Sequence, residues 1–204
     1  MRTLAIECAT EACSIALSDG DHLVAADHRV LGRGHAEHLV PMIASLPGRG
    51  RAERIMVSLG PGSFTGVRIG MAVANALAIA WGAEVTGYPT LDLVAAMALA
   101  GEPADRLTVC MAGGHGEWFV QDFGPAGEPL TPLASLTPDA ARNRGAAHAI
   151  AGTRAAELAE LLGTGFSARP MLPDARHASL LRAASFTDTI APIYGRGPDA
   201  RLPA

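Results

Sequence analysis

Between Ser58 and Gly82 the chain reads SLGPGSFTGVRIGMAVANALAIAWG, and its first residues are the ones most suited to chemistry. Gly60, Gly62 and Gly66 let a backbone turn tightly, Pro61 stiffens the turn, and Ser63 and Thr65 supply hydroxyls just ahead of a long apolar run. A glycine turn feeding a helix N-terminus suits an anion, because unpaired N–H groups and the helix dipole both favour negative charge. The same residues also make a plain turn and cap, with Thr65 best placed to cap a helix starting near Gly66. The spacing is neither a dinucleotide fingerprint nor a P-loop, and Ser63 lacks the Gly-x-Ser-x-Gly setting of a nucleophile. A third reading is the mouth of a docking helix.

Two other groups carry reactive side chains. Glu7 and Thr10, in IECATEACS, could hold a phosphate or magnesium, or close a turn. His35 and His38 stand one turn apart, but a metal site needs a third ligand and this is not His-Glu-x-x-His, so no metal is expected. All sixteen basic residues are arginine and none is lysine. That excludes the P-loop lysine, Schiff-base chemistry and lysine general bases. No catalytic triad or paired-carboxylate spacing is present, and no catalytic residue is expected.

Elements must position these groups. Thr3–Glu7, Cys13–Ser18 and Leu23–Asp27 read as strands, the last two joined by the Gly-containing turn SDGD. Residues 35–46 read as a helix from Leu39, Met42, Ile43 and Leu46, with Pro41 implying a late start or a kink. Strands at 54–59 and 84–88 flank a helix over 67–81, and a helix over 90–100 follows, capped by Thr90. GEPADR (101–106) marks a boundary. Beyond it come strands at 107–112 and 117–123, a Pro-rich passage, a strand–turn–helix over 146–162 and a helix over 174–185. This is an α/β order with a mixed sheet, weakly echoed in the second half.

In the helix over 67–81, Gly66, Gly70, Ala74 and Ala78 recur every four residues as a stripe that lets another helix approach closely. Apolar residues on the adjoining face imply burial on more than one side rather than a surface helix. The expected interface joins Leu39, Met42 and Ile43 to Gly70, Met71, Ala74, Asn75 and Ala78.

Net charge is −4, with no basic stripe for nucleic acid. Arg142 and Arg144 read as solvated loop charge. The apolar run from Val67 to Trp81 is too short to span a bilayer and carries Arg68 and Asn75, so a cytoplasmic protein is expected. Cys8, Cys13 and Cys110 are too few and too scattered for a disulfide framework.

LAIECATEACSIAL, HAEHLVPMI and above all VSLGPGSFTGVRIGMAVANALAIAWGAEVTGYPTLDLVA resemble the bacterial tRNA threonylcarbamoyladenosine biosynthesis protein TsaB (YeaZ) family. Its specific string covers Gly60, Pro61, Gly62, Ser63, Phe64, Thr65, Gly66 and Arg68, and the likeness spans roughly the first half of the chain. PIYGR, with Pro192, Tyr194 and Arg196, resembles the family's ending.

The resemblance implies an actin-like ATPase fold of the sugar-kinase/Hsp70 (ASKHA) type. A domain over 1–100 would carry docking helices, and a reduced domain over 101–204 would send its tail back onto the first. It implies a non-catalytic scaffold for a TsaD-type threonylcarbamoyltransferase, with a TsaE-type ATPase in the full complex, tRNA reached only through it, and a homodimer when alone. Pro89 and Leu93 stand where the catalytic relative places its metal-binding histidines. Departures at Glu7–Thr10, CMAGGHGEWF and Gly152–Arg154 fall where the fold handles nucleotide, so ATP is expected only weakly or within the complex. The competing reading is a stand-alone glycoprotease-like metallopeptidase or a nucleotide-dependent phosphotransferase.

Overall fold

A computed structural model describes residues 1–195. Arg196, in the ending noted above, lies outside the described residues. The first sheet contains β1 (Arg2–Glu7), β2 (Ala12–Asp19), β3 (His22–Val30), β4 (Arg54–Ser58) and β5 (Glu84–Tyr88). Their order is β3-β2-β1-β4-β5. The hairpin pairs β1–β2 and β2–β3 are antiparallel, while β1–β4 and β4–β5 are parallel. α1 (His35–Ser45), α2 (Phe64–Trp81) and α3 (Thr90–Gly101) make the connections.

The second half repeats this plan with β6 (Leu107–Ala112), β7 (Trp118–Phe123), β8 (Ala134–Leu136), α4 (Pro138–Arg144), β9 (Ala149–Ala151), α5 (Ala155–Leu162) and β10 (Ser167–Arg169). Read from β8, the order is β8-β7-β6-β9-β10, with the same alternation of antiparallel and parallel pairs. The weak echo in the sequence is therefore a full repeat of topology, the actin-like arrangement, with three-residue strands where the second unit is reduced.

Alternation along β1 divides the first core. Leu4 and Ile6 face α1 and α2, together with Ile15, Leu17, Ile55 and Val57. Ala5 points the other way, with Ala16 and Met56, toward Tyr88, Leu93, Ala175 and Ala178. Successive strand side chains take opposite faces, so alternating large and small residues let the second covering layer approach closely. α3 serves both sheets: Leu93 packs on the first, and Leu91, Val94, Ala95 and Ala98 pack with Leu107, Val109 and Phe123 of the second. Its remaining side, with Asp92, Ala96, Leu99 and Ala100, borders a second, smaller cleft.

After β10 the chain returns to the first unit. The Ala175 N–H donates to Ser14 Oγ (2.9 Å), Thr187 exchanges backbone bonds with Gly87, and the Ile193 N–H donates to the Leu59 carbonyl (2.8 Å). Residues 174–185 are not an α-helix. They form two short 3-10 turns, Ala175–Leu180 and Ala183–Ser185, parted by extended Leu181, whose side chain is buried against the first sheet.

Other sequence readings also shift. α2 starts three residues early because Ser63, not Thr65, is its cap, accepting from the Gly66 N–H (3.1 Å). At eighteen residues and a mean hydropathy of 1.4, α2 has the length and apolarity to cross a bilayer; here one face lies on the first sheet. Pro89 precedes α3, and Thr90 instead pairs its hydroxyl with Ser58 (2.7 Å). α1 begins at His35 and keeps Pro41 inside, so no late start occurs. Arg144 is not solvated loop charge. It closes α4 and, with Arg106 and Thr108, holds the buried Asp122 carboxylate at 3.0, 2.6 and 2.7 Å. Burial pushes Asp122 up, but bonds from Arg144, Thr108 and Arg106 outweigh it and hold the group below the usual carboxylate range.

α2 lies on the end of β1 through its glycines. A Cβ at Gly66 would sit 2.1 Å from the Cys8 carbonyl oxygen, which is backbone and cannot rotate away. Gly66→Ala should therefore cost about 3 kcal/mol or more in urea unfolding. Gly101→Ala, where a Cβ meets nothing and φ is ordinary, should be neutral or stabilising by about 0.5 kcal/mol.

Candidate functional site: an apolar helix face beside an interdomain cleft

The glycine loop is fastened on both sides. The Ser63 N–H donates to the Ala9 carbonyl (2.6 Å), the Gly60 N–H to Ser58 Oγ (3.2 Å), and the Gly60 carbonyl accepts from the Thr90 N–H (2.8 Å). With the Gly66 N–H on Ser63 Oγ, three of the loop's donors are taken up by the chain itself rather than aimed at an anion. Phe64 and Thr65 are exposed, and Pro61 is buried. The Arg68 guanidinium lies 3.3 Å over the Phe64 ring and donates to the Phe64 carbonyl (2.9 Å) and to the Tyr194 hydroxyl (2.6 Å).

This loop forms one wall of a cleft of about 500 Å³ between the two units. Ala9–Glu11 complete that wall; Ala112–His115, Phe119 and Thr153 form the opposite one. Residues 192–195 run across, Ile193 tied to Leu59 and Gly195 set so closely on Phe119 that a Cβ there would meet the ring at 2.1 Å.

Glu7 and Thr10 close the turn above β1. Glu7 Oε1 accepts from the Ala9 N–H (2.7 Å), and Thr10 Oγ1 accepts from the Ala12 N–H (3.2 Å). Glu7 is wholly buried, and its Oε2 has no partner among the described residues. Burial pushes its pKa up to about 7, against the opposing bond from Ala9. Below the same turn, Cys8 Sγ and Cys13 Sγ lie 3.6 Å apart, both as free thiols.

The histidines do not converge. His35 is buried with a ring nitrogen 3.2 Å from the Ala12 carbonyl, while His38 is exposed. Among the described residues no three His, Cys, Asp or Glu side chains gather as a metal site. Pro89 caps α3 and Leu93 is core.

The expected interface residues divide unevenly. Leu39, Met42, Ile43, Gly70, Met71 and Ala74 are buried in the chain's own core, Asn75 is exposed and Ala78 is half-buried. The four-residue stripe of small residues marks the side on which α2 lies against β1 and β4, where Gly70 meets Cys8, Ile6 and Val57. The outward side is a surface, contrary to the all-buried reading. On α2 it shows Ala72, Asn75, Ala76, Ile79 and Ala80; on neighbouring α1 it shows Ala36, Val40, Pro41 and Ala44 alongside the polar Glu37, His38 and Ser45. Ile79 is 87% exposed and Val40 50%.

Residues 29–140 match the family model described as TsaD: tRNA N6-adenosine threonylcarbamoyltransferase. The chain is 34% identical over 128 residues to the tRNA threonylcarbamoyladenosine biosynthesis protein TsaB of Escherichia coli (strain K12), a match covering 60% of this chain and 55% of that protein. It is 32% identical over 216 residues to the uncharacterized protein Rv3421c of Mycobacterium tuberculosis (strain H37Rv), covering 97% and 93%. Among solved structures, YeaZ from Pseudomonas aeruginosa superposes with a TM-score of 0.75 at 25% identity, over 95% of this chain and 99% of that one. A Pseudomonas aeruginosa protein with similarity to peptidase YEAZ gives 0.77 at 28%, over 96% and 99%.

The buried carboxyl predicts a pH signature. Glu7 is protonated in both folded and unfolded chains well below 4.5; above about 7 it must ionise while buried. Its contribution to stability therefore falls as pH rises from 4.5 to 7, by about 3 kcal/mol in all. Urea unfolding of Glu7→Gln across that range should lack this decline, so that the variant gains on the parent steadily up to neutral pH.

Proposed function

The chain belongs to the TsaB/YeaZ family, and from that membership we propose that it is the non-catalytic subunit of a tRNA threonylcarbamoyladenosine-synthesising complex, docking a TsaD-type transferase on the outward face of α1 and α2. The observation that carries this reading is the exposed apolar face centred on Ile79 and Val40. It lies within the residues that match the family model. Its small neighbours Ala36, Ala72, Ala76 and Ala80 leave room for partner helices to approach closely. Burying a side chain such as Ile79 contributes about 1.5–3 kcal/mol.

The reading of this chain as support rather than catalyst draws on Pro89 and Leu93. A helix-capping proline and a core leucine offer no metal ligand where the resemblance puts histidines. In this scheme a TsaE-type ATPase joins the complex, tRNA is reached only through it in the cytoplasm, and nucleotide is held weakly or with the partner. When alone, the same face pairs with a second copy, since a patch that accepts helices can accept its own.

Size-exclusion chromatography with light scattering, with the TsaD-type protein of the same organism, tests this directly. The parent should shift to a one-to-one complex, and Ile79→Glu should weaken it at least tenfold, about 1.4 kcal/mol. Leu161→Glu, on α5 of the second unit, should leave it unchanged. Undiminished binding by Ile79→Glu would remove the assignment. Met71 is the wrong position for this test, because a charge there would act through the core.

A further inference from the structure

Cys8 and Cys13 face each other across the closed end of the β1–β2 hairpin. Glu7 is registered opposite Ser14, so the next cross-strand positions are Cys8 and Cys13. Directly opposed residues of an antiparallel pair have Cα atoms about 4.5–5.5 Å apart, inside the range a disulfide accepts. The sulfurs stand 3.6 Å apart and need to close to about 2.05 Å, a step within the reach of side-chain rotation.

We propose that this pair is a reversible thiol–disulfide staple, closed by a peroxide and reopened by a small thiol. The step balances: one thiolate takes an oxygen from hydrogen peroxide and releases one water. The second thiol then displaces that oxygen as another water, forming the S–S bond. Two thiols lose two hydrogens, and the peroxide O–O bond is the one reduced.

With the sulfurs 3.6 Å apart, either thiol can donate to the other as a thiolate makes the first attack. Contact with Cys8 holds the Cys13 thiol below its ordinary range, while the same contact and burial raise Cys8. Both sulfurs are buried in the core shared with α1 and α2, and at the hairpin end they are covered by the turn at 9–11, whose Glu11 is exposed beside the cleft. Opening that one turn admits an oxidant little larger than water.

The staple sits where it can be felt. The Cys8 carbonyl rests on Gly66, the Cys8 Cβ lies in van der Waals reach of Gly70, and the Ala9 carbonyl holds the Ser63 N–H. Closing it tightens the platform under the first two turns of α2. Amide exchange over residues 64–70 should slow severalfold in the oxidised protein.

Cleavage at arginine isolates Thr3–Arg29, which contains both cysteines and no methionine. After peroxide treatment of the folded full chain, this peptide should be two hydrogens lighter and accept no alkylating reagent. Treatment with dithiothreitol should restore two alkylation sites. Circular dichroism of the oxidised protein should be unchanged. Cys8→Ser should instead leave Cys13 as a sulfenic acid trapped by dimedone. The proposal is overturned if the peptide still takes two alkyl groups, gains oxygen without losing hydrogens, or forms the link only in guanidinium. Unchanged exchange over 64–70 in the linked form would overturn the coupling to α2.

Discussion

The approach of two backbone carbonyls to two glycines sets the geometry of the first unit. The Cys8 and Ala9 oxygens lie so close to Gly66 and Gly62 that a Cβ at either position would fall 2.1 or 2.0 Å away. That contact seats α2 directly on the end of β1. It fixes which side of α2 is spent on the sheet, which side faces out, and where one wall of the cleft stands. Ser63 then has two tasks in one place, capping the helix through its hydroxyl and tying the loop to Ala9 through its N–H. A loop so occupied is a structural joint, with three of its N–H donors turned inward.

The two units handle buried charge differently. Asp122 is surrounded by Arg106, Arg144 and Thr108, so its ionised form is fully served. Glu7 has one backbone donor and an orphan oxygen, so its neutral form is favoured. A buried carboxylate without a cation is costly unless it takes up a proton. Glu7 therefore belongs to the turn's packing as an uncharged hydrogen-bonding group, and it does not line the cleft.

Much of the fold was legible. The strands at 84–88 and 107–112 have the boundaries expected, because short apolar runs between clear breakers leave little choice. The outward side of α2 was not. Spacing of four identifies a stripe of small residues on α2, but periodicity carries no sign telling whether the stripe faces a sheet or a partner. In the structure the stripe faces the sheet, and Ile79 lies on the exposed side. β8, β9 and β10 have three residues each, too short for alternation to register. α4 did carry a signal in Thr137-Pro138, a cap followed by proline at the first position. The Cys8–Cys13 pairing emerges only from the hairpin register, since a turn closing over 9–12 places 8 against 13.

α3 gives most of its apolar surface to the two sheets, because the first takes Leu93 and the second takes Leu91, Val94, Ala95 and Ala98. Neither half is then a free-standing module. Cut the chain after α3 and the stump carries a sticky ridge that invites aggregation; swap the second half for another, and the newcomer must fit the same ridge. The reduced unit thereby sheathes the side of α3 that the first sheet leaves bare.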